Sequence, residues 1–215
     1  MIITPSPIIE IYQLDVAGSL FRRVAWLDKN FYNLTYCNKK NAIGTCQFDI
    51  DIFSPIANES YLRPWQCQIA IRYGNFVDFF GPITKVSGSI EGVQGTLSIQ
   101  AESFLKHLYT RVLTSASTLN YTAQTFGYII QHLLTDATTN KTNGQLLLTA
   151  GADTTVTTHD KSYEINSIIG EKVLGITDLD GGPAQITTSY SLNADGSIQT
   201  VNLNVYQTRG TTRTD

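Results

Sequence analysis

Charged side chains are scarce in this chain. Asp, Glu, Lys and Arg make up 15% of its 215 residues, where globular proteins carry about a quarter. Fifteen basic and eighteen acidic residues leave a formal net charge of −3. Gripping nucleic acid needs basic surface that displaces counterions, so that task is excluded as the main function, though a local basic patch is not. Residues 1–110 hold nine basic and nine acidic side chains, residues 111–215 six and nine, and neither half has a run of like charge. Long apolar runs are also lacking. None approaches the roughly 18–20 residues that cross a bilayer, so no stable membrane insertion is expected. The start, Met1 to Pro7, has no basic residues and no long apolar core, and does not read as a secretory signal. Cysteine is sparse. Cys37, Cys46 and Cys67 are too few and too oddly spaced for a disulfide framework. A zinc site would need a fourth ligand such as His107, and there is no close CxxC pair. Buried thiols acting as small hydrophobes are the better reading of Cys46 and Cys67, and the usage fits assembly in a reducing cytoplasm.

Chemical motifs are missing as well. His107, His132 and His159 are far apart in sequence and have no partner motif. His159-Asp160 and Asp153 would form a site only if their loop folds back. Asp178-Leu179-Asp180-Gly181-Gly182 has a faint calcium-loop look but lacks the ligand sequence and closing Glu of an EF-hand. No phosphate-cradling glycine motif or nucleophile elbow is present. Asp49 and Asp51 share one face of a strand, and a solvated face explains them more simply than paired catalytic carboxylates do. Sequons occur at Asn33, Asn58, Asn120 and Asn140, as chance produces in a chain rich in Asn and Thr. Arg22, Arg23, Lys39 and Lys40 form the only close basic pairs, read as solvated surface or as contacts to a neighbouring subunit's acids. No catalytic, metal-binding or cofactor-binding residue is assigned, no cofactor is expected, and the chain is not read as an enzyme. Interface residues are left unassigned.

What remains is a globular chain, 42% hydrophobic, with Thr its commonest residue and a largely neutral polar surface. The first half reads as strands. Ile8–Tyr12, Leu20–Leu27 and Phe31–Tyr36 come first. In Gly44–Phe53, residues Cys46, Phe48, Ile50 and Ile52 alternate with Gln47, Asp49 and Asp51, which predicts one buried and one solvated face. Gln66–Tyr73 alternates again, with Cys67, Ile69, Ile71 and Tyr73 on one face. Gly74-Asn75 predicts a tight turn into Phe76–Phe80. Gly81-Pro82 is expected to interrupt that run, with Ile83–Ile90 resuming it and Glu91-Gly92 turning into Val93–Ala101. Phe48, Ile50, Ile52, Ile69 and Ile71 are the expected core. Glu102–Val112 reads as a short closing helix, and Ser115–Asn120 as a polar linker.

The second half mixes helix and strand. Ala123, Phe126, Ile129, Ile130, Leu133, Leu134 and Ala137 follow the i, i+3, i+4 rhythm of an amphipathic helix, with Asn120 or Thr122 as its cap. Thr138–Gly144 is its exit, Leu146–Leu148 a short strand, and Gly151–Asp160 a loop or edge strand. Ile165, Ile168, Ile169, Val173 and Ile176 predict a second helix. Ala184–Leu192 and Ser197–Tyr206 predict a terminal hairpin. The expected fold class is β-rich α+β. An antiparallel β-barrel or sandwich spans residues 1–114, and a smaller α+β domain with two helices and a C-terminal hairpin spans residues 115–215.

The order of certain stretches resembles the baseplate-hub, or tail-associated, proteins at the tail tip of long-tailed bacteriophages. The stretches are Gly44–Ile50, Leu62-Arg63-Pro64-Trp65, Phe80-Gly81-Pro82-Ile83, Leu97–Leu108 followed by Arg111, the two helices, and the hairpin reaching Arg209-Gly210-Thr211. The resemblance implies a tail-tube-like barrel. It also implies a homo-oligomeric ring, a trimer by preference, that joins tail-tube or distal-tail proteins to other tail-tip proteins. The implied location is the virion tail tip, assembled in the host cytoplasm, with DNA passing the lumen without specific binding. Hub proteins are usually longer, so the chain is expected to be a compact hub or an ordered piece of a longer one. The alternative is a carbohydrate-binding or adhesion module, with Trp26, Trp65 and the many Tyr stacking on sugars rather than filling core and interface. A cell-wall hydrolase ranks last.

Overall fold

A computed structural model describes residues 6–39, 41–91, 94–114, 117–139, 146–176 and 184–207. The chain divides into two compact units. Unit 1 takes Met1–Lys39, Ile43–Lys106 and Leu192–Gln199, and unit 2 takes Lys40–Ala42, His107–Ser191 and Thr200–Asp215. Among the described residues, no helix is long and apolar enough to cross a membrane. The fold is β-rich α+β.

Unit 1 contains β1 (Ile8–Leu14), β2 (Phe21–Leu27), β3 (Tyr32–Cys37), β4 (Thr45–Asp51), a one-turn helix α1 (Glu59–Leu62), β5 (Cys67–Tyr73), β6 (Phe76–Glu91) and β7 (Gln94–Glu102). The strands run in the order β2-β1-β5-β6-β7-β4-β3, and every neighbouring pair is antiparallel. The path does not close into a barrel among the described residues. Gly74, at φ +57, makes the tight turn between β5 and β6.

Gly81-Pro82 does not interrupt the chain, contrary to the expectation above. β6 runs unbroken for 16 residues and changes neighbour there instead. Phe76–Pro82 pairs with β5, and Ile83–Glu91 pairs with β7. Proline lacks a ladder donor, which is tolerated where a strand leaves one neighbour for another. Glycine is required beside it, because a Cβ on Gly81 would lie 1.8 Å from the Glu102 carbonyl oxygen.

The main core gathers Ile9, Ile11, Phe48, Ile50, Ile69, Ile71, Phe79, Ile83 and Ile99, all fully buried. Four of the five expected core residues are there. Ile52 is only half-buried, because β4 ends at Asp51 and the chain turns away, with the Ile52 N–H donating to the Gly95 carbonyl. The one-face reading of β5 is also too simple. Gln68 and Ala70 are buried too, as are Glu10 and Tyr12 on β1, so these two strands are covered on both sides. Tyr12, Phe21, Phe80 and Phe104 pack the second side, with ring centroids 5.4–5.7 Å apart.

The expected closing helix is a 3-10 helix, Phe104–Thr110. Beyond it, unit 2 holds β8 (Leu119–Thr125), α2 (Phe126–Thr139), β9 (Leu148–Asp153), β10 (Thr158–Tyr163) and α3 (Ile169–Gly175). The predicted hairpin forms as β11 (Ala184–Leu192) and β12 (Ile198–Gln207), whose turn and first residues are counted in unit 1. β8 pairs with β10 and β9 runs parallel to β12. On α2, Phe126, Ile129, Ile130, Leu133, Leu134 and Ala137 are all buried, as the periodicity predicts. Its start differs. Residues read as linker and cap form β8, and Ala123 lies in that strand at φ +50. The first turn is capped by hydroxyls of Thr125, which accepts from the Tyr128 N–H at 3.3 Å, and Thr155, which accepts from the Gly127 N–H at 2.9 Å. The second helix begins at Ile169, and Ile165 is 48% exposed. The Gly151–Asp160 stretch divides between the ends of β9 and β10. The acidic loop Asp178–Gly182, the sequon at Asn140, Lys40, the Gly92 turn and Arg209–Thr211 lie outside the described residues.

Candidate functional site

The candidate chemical groups are engaged in the fold. Asp49 is not solvated as expected. It is 8% exposed and accepts hydrogen bonds from Asn33 Nδ2 at 2.8 Å and from the Ser98 hydroxyl. Its polar partners sit on the neighbouring strands β3 and β7, which pattern within β4 alone does not reveal. Asp51 is exposed and accepts from the Phe53 N–H. His159 stacks on Phe126 with 3.7 Å between centroids. Asp160 holds the Ala123 N–H, and Asp153 holds Thr155. Those three residues therefore serve separate structural bonds. All three thiols are free, with Cys37 exposed. Cys46 and Cys67 lie in the apolar core, and burial pushes the Cys46 thiol up to about 12. Burial, with Arg111 adding to it, pushes His107 down to about 4, so it stays neutral. Among the described residues, no three His, Cys, Asp or Glu side chains are grouped to hold a metal ion. Asn58 caps α1 by accepting from the Ser60 N–H, and Asn120 accepts from Ser162.

Of the basic pairs, Arg23 has a partner in its own chain. Its guanidinium lies 2.5 Å from Glu10, which is fully buried and also meets Arg72 at 2.9 Å and the Tyr12 hydroxyl at 2.8 Å. The sequence carried one sign of this cluster: an acid in the middle of the apolar run Ile8-Ile9-Glu10-Ile11. Burial and Glu10 raise the Tyr12 phenol well above its ordinary range. Trp26 on β2 is 60% exposed with the Arg23 guanidinium 5.5 Å over its ring. Trp65 follows α1 at φ +66, is 42% exposed, and donates its N–H to the Ile83 carbonyl.

The open strand edges of unit 1 are its most distinctive surface. Three are free among the described residues: most of β2, β3, and residues 84–91 of β6 after it leaves β5. The first two are guarded. β2 carries Arg22, Arg23 and Trp26, and its pairing with β1 is bulged. β3 is bulged between Tyr32 and Thr35, with Asn33 at φ +55. Tyr36 on β3 donates to Asp78 Oδ2 at 2.6 Å and to the Tyr73 hydroxyl at 3.2 Å, and burial with the Asp78 bond raises its phenol far above the usual range. The third edge is guarded only at its start, by Lys85 and a bulge between Ile83 and Lys85, while Val86 to Ile90 carry no charge. Residues 84–91 read Thr-Lys-Val-Ser-Gly-Ser-Ile-Glu, and their pairing with β7 is regular from Lys85 to Glu91. Ser87, Gly88 and Ser89 are exposed, and Ile90 is 71% exposed. Charges and bulges blunt the edges that proteins keep unpaired. The outer face of the same half-sheet carries a groove of about 490 Å³, lined by uncharged polar residues such as Thr35, Thr45, Gln47 and Gln100, with Glu102 its one acid.

No protein-family model matches the sequence, and no curated protein matches it. Solved structures do align with it over 94% of its length. One is a tail protein from Neisseria meningitidis, at 11% identity and a TM-score of 0.46, with 46% of that chain covered. Another is the E. coli c3393 protein, described as a type VI secretion component with structural similarity to the T4 bacteriophage tail proteins gp27 and gp5, at 11% identity, a TM-score of 0.45 and 45% coverage. A third is the 43 kDa tail protein of prophage MuSo2 from Shewanella oneidensis, at 9% identity, a TM-score of 0.48 and 50% coverage. The chain thus spans about half the length of the structures it aligns with, and those structures are tail proteins and a secretion-system component.

Proposed function

We propose that this chain is a structural component of a phage-type tail, at the hub or distal tip, that works by assembly rather than catalysis. The observation that carries the proposal is the free edge at residues 84–91 of β6. It pairs regularly with β7 from Lys85 to Glu91 and has small, uncharged side chains at its middle, with Lys85 and the adjoining bulge blunting only its start. A monomeric protein gains nothing from leaving such an edge open, because it templates pairing with other chains. An assembly protein uses it. In this reading the β6 edge of one copy adds to a free strand of the next. Such a head-to-tail contact closes into a ring when the rotation per copy allows, and a trimer is the favoured ring. The order of sequence stretches described above supports the tail setting.

The scarcity of charge acquires a role here. The outer face beside β6 presents Thr, Gln and Ser. A lumen wall of that kind lets DNA pass, because apart from Lys85, opposite Gln100, it offers mainly uncharged side chains that do not exchange for the counterions of phosphate. Tail-tube or distal-tail proteins would bind at one end of the ring and other tip proteins at the other.

Mass photometry of the purified chain tests this reading, together with a Ser87→Lys/Ser89→Lys variant. Lysines on an open edge block strand addition while leaving the monomer's own pairing with β7 in place. The parent is expected to form closed oligomers and the variant to stay monomeric with an unchanged melting temperature. A parent that is monomeric at every concentration and does not bind tail particles would contradict the proposal.

A further inference from the structure

The free edge of β6 is self-complementary about Gly88. Laid antiparallel against a second copy of itself, with the two Gly88 residues facing, it sets Lys85 opposite Glu91, Val86 opposite Ile90 and Ser87 opposite Ser89. Directly opposed residues of an antiparallel pair stand on the same face of the sheet, so the matched residues come within reach of one another. A two-fold axis at Gly88 makes every match occur twice. The charged match joins opposite signs. The apolar match covers Ile90, which is 71% exposed in the single chain, with Val86 of the second copy. The Ser87–Ser89 match is small and polar, and both residues are exposed in the single chain.

Gly88 itself supports the axis. Glycine weakens the interior of a strand, and its own chain gives this one no reason to be there. Its backbone is not left-handed, and a Cβ would meet nothing beyond its chain neighbours nearer than Leu97 Cδ1, at 3.5 Å. A glycine of that kind marks the approach of another backbone. Lys85 fits the same arrangement. A charge on an open edge repels strand addition in general, but opposite an acid it admits one partner in one register. The other free edges of unit 1 do not supply that acid. β2 reads Phe-Arg-Arg-Val-Ala-Trp-Leu and β3 reads Tyr-Asn-Leu-Thr-Tyr-Cys. The β6 edge carries its own, at residue 91.

We propose that two unassembled copies of this chain pair antiparallel through residues 85–91 of β6, with a two-fold axis at Gly88. The pairing occupies the edge that the ring contact needs, so it covers that edge before assembly and opens for it. It rests on that edge being free and stands without the tail setting. Analytical ultracentrifugation of the intact chain over a range of concentrations tests it. The parent is expected to pass from monomer to dimer. Lys85→Glu and Glu91→Lys each set like charges opposite one another twice, so each should raise the dimer dissociation constant about tenfold or more. The double variant Lys85→Glu/Glu91→Lys should restore the dimer, and so should an equimolar mixture of the two single variants. In a Cys37→Ser background, where the remaining thiols are buried, Ser87→Cys mixed with Ser89→Cys should cross-link under a mild added oxidant. Neither should cross-link alone. A parent that forms no dimer, single swaps without effect, a double swap that fails to restore, or cross-linking of Ser87→Cys with itself would overturn the proposal. Incorporation of the same chain into tail particles is scored separately, so the failure of the dimer and the failure of the assembly reading are distinct results.

Discussion

The two units solve the burial of polar groups differently. Unit 1 buries β1 and β5 on both faces and answers most of its enclosed polar atoms from within. Glu10 meets two arginines and Tyr12, Asp49 meets Asn33 and Ser98, and Tyr36 meets Asp78. Arg72 Nε is an exception. Unit 2 builds its core from one-sided elements, chiefly the apolar stripe of α2, and leaves Tyr121 Oη and His159 Nε2 enclosed without partners. The difference teaches where to look for function. A closed polar network specifies a rigid scaffold, and in unit 1 the unmet bonds lie on a strand edge. In unit 2 they lie on side chains.

The largest expected effect tests the double burial of unit 1. Phe80 touches Tyr12, Phe21 and Phe104, so Phe80→Ala should lower stability by about 4 kcal/mol through lost burial and a cavity, read as the denaturant midpoint at constant slope. A loss under about 1 kcal/mol would mean the second layer is loose. Next is the ion cluster. Glu10→Ala strands Arg23 and Arg72 beside a buried position, and removing one partner of such a group costs about 3 kcal/mol. Arg23 is about a third exposed, which keeps the expectation at the low end.

A smaller effect comes from His107. Its folded pKa is lowered to about 4 from 6.5, so below pH 6.5 the unfolded chain takes up a proton that the folded chain refuses. Stability should therefore fall as pH drops from 6.5 towards 4 and flatten below, by roughly 3 kcal/mol in total. His107→Phe should remove that slope from a series of melts, and an unchanged slope would assign it to other groups. The smallest effect sharpens the contrast directly. Tyr121→Phe deletes an unmatched hydroxyl, so stability should stay within about 1 kcal/mol or rise, whereas Tyr36→Phe, which breaks the bond to Asp78, should lose about 1–2 kcal/mol.

Much of this was legible in the sequence, and the failures have physical causes. Period-two alternation located β4 and β5, and period 3.6 located α2, because each element buries one continuous face. Alternation misread Asp49, whose polar partners come from β3 and β7, and gave no sign that Gln68 is buried, because β5 is covered on both sides. Gly81-Pro82 reads locally as a break, yet β6 passes through it because the ladder changes neighbour at that point. The start of α2 was set too early because β8 leads straight into it and Ala123 fits either rhythm. The strand edge at residues 84–91 was visible as a segment, but which edges remain unpaired is a property of topology.

The central claim rests on the free edge of β6, and a cryo-electron microscopy map of the assembled particle tests it most directly. The account predicts a closed ring in which residues 84–91 of each copy form main-chain hydrogen bonds with a strand of its neighbour. A ring in which those residues face solvent, or a tail particle that lacks the chain altogether, would contradict it.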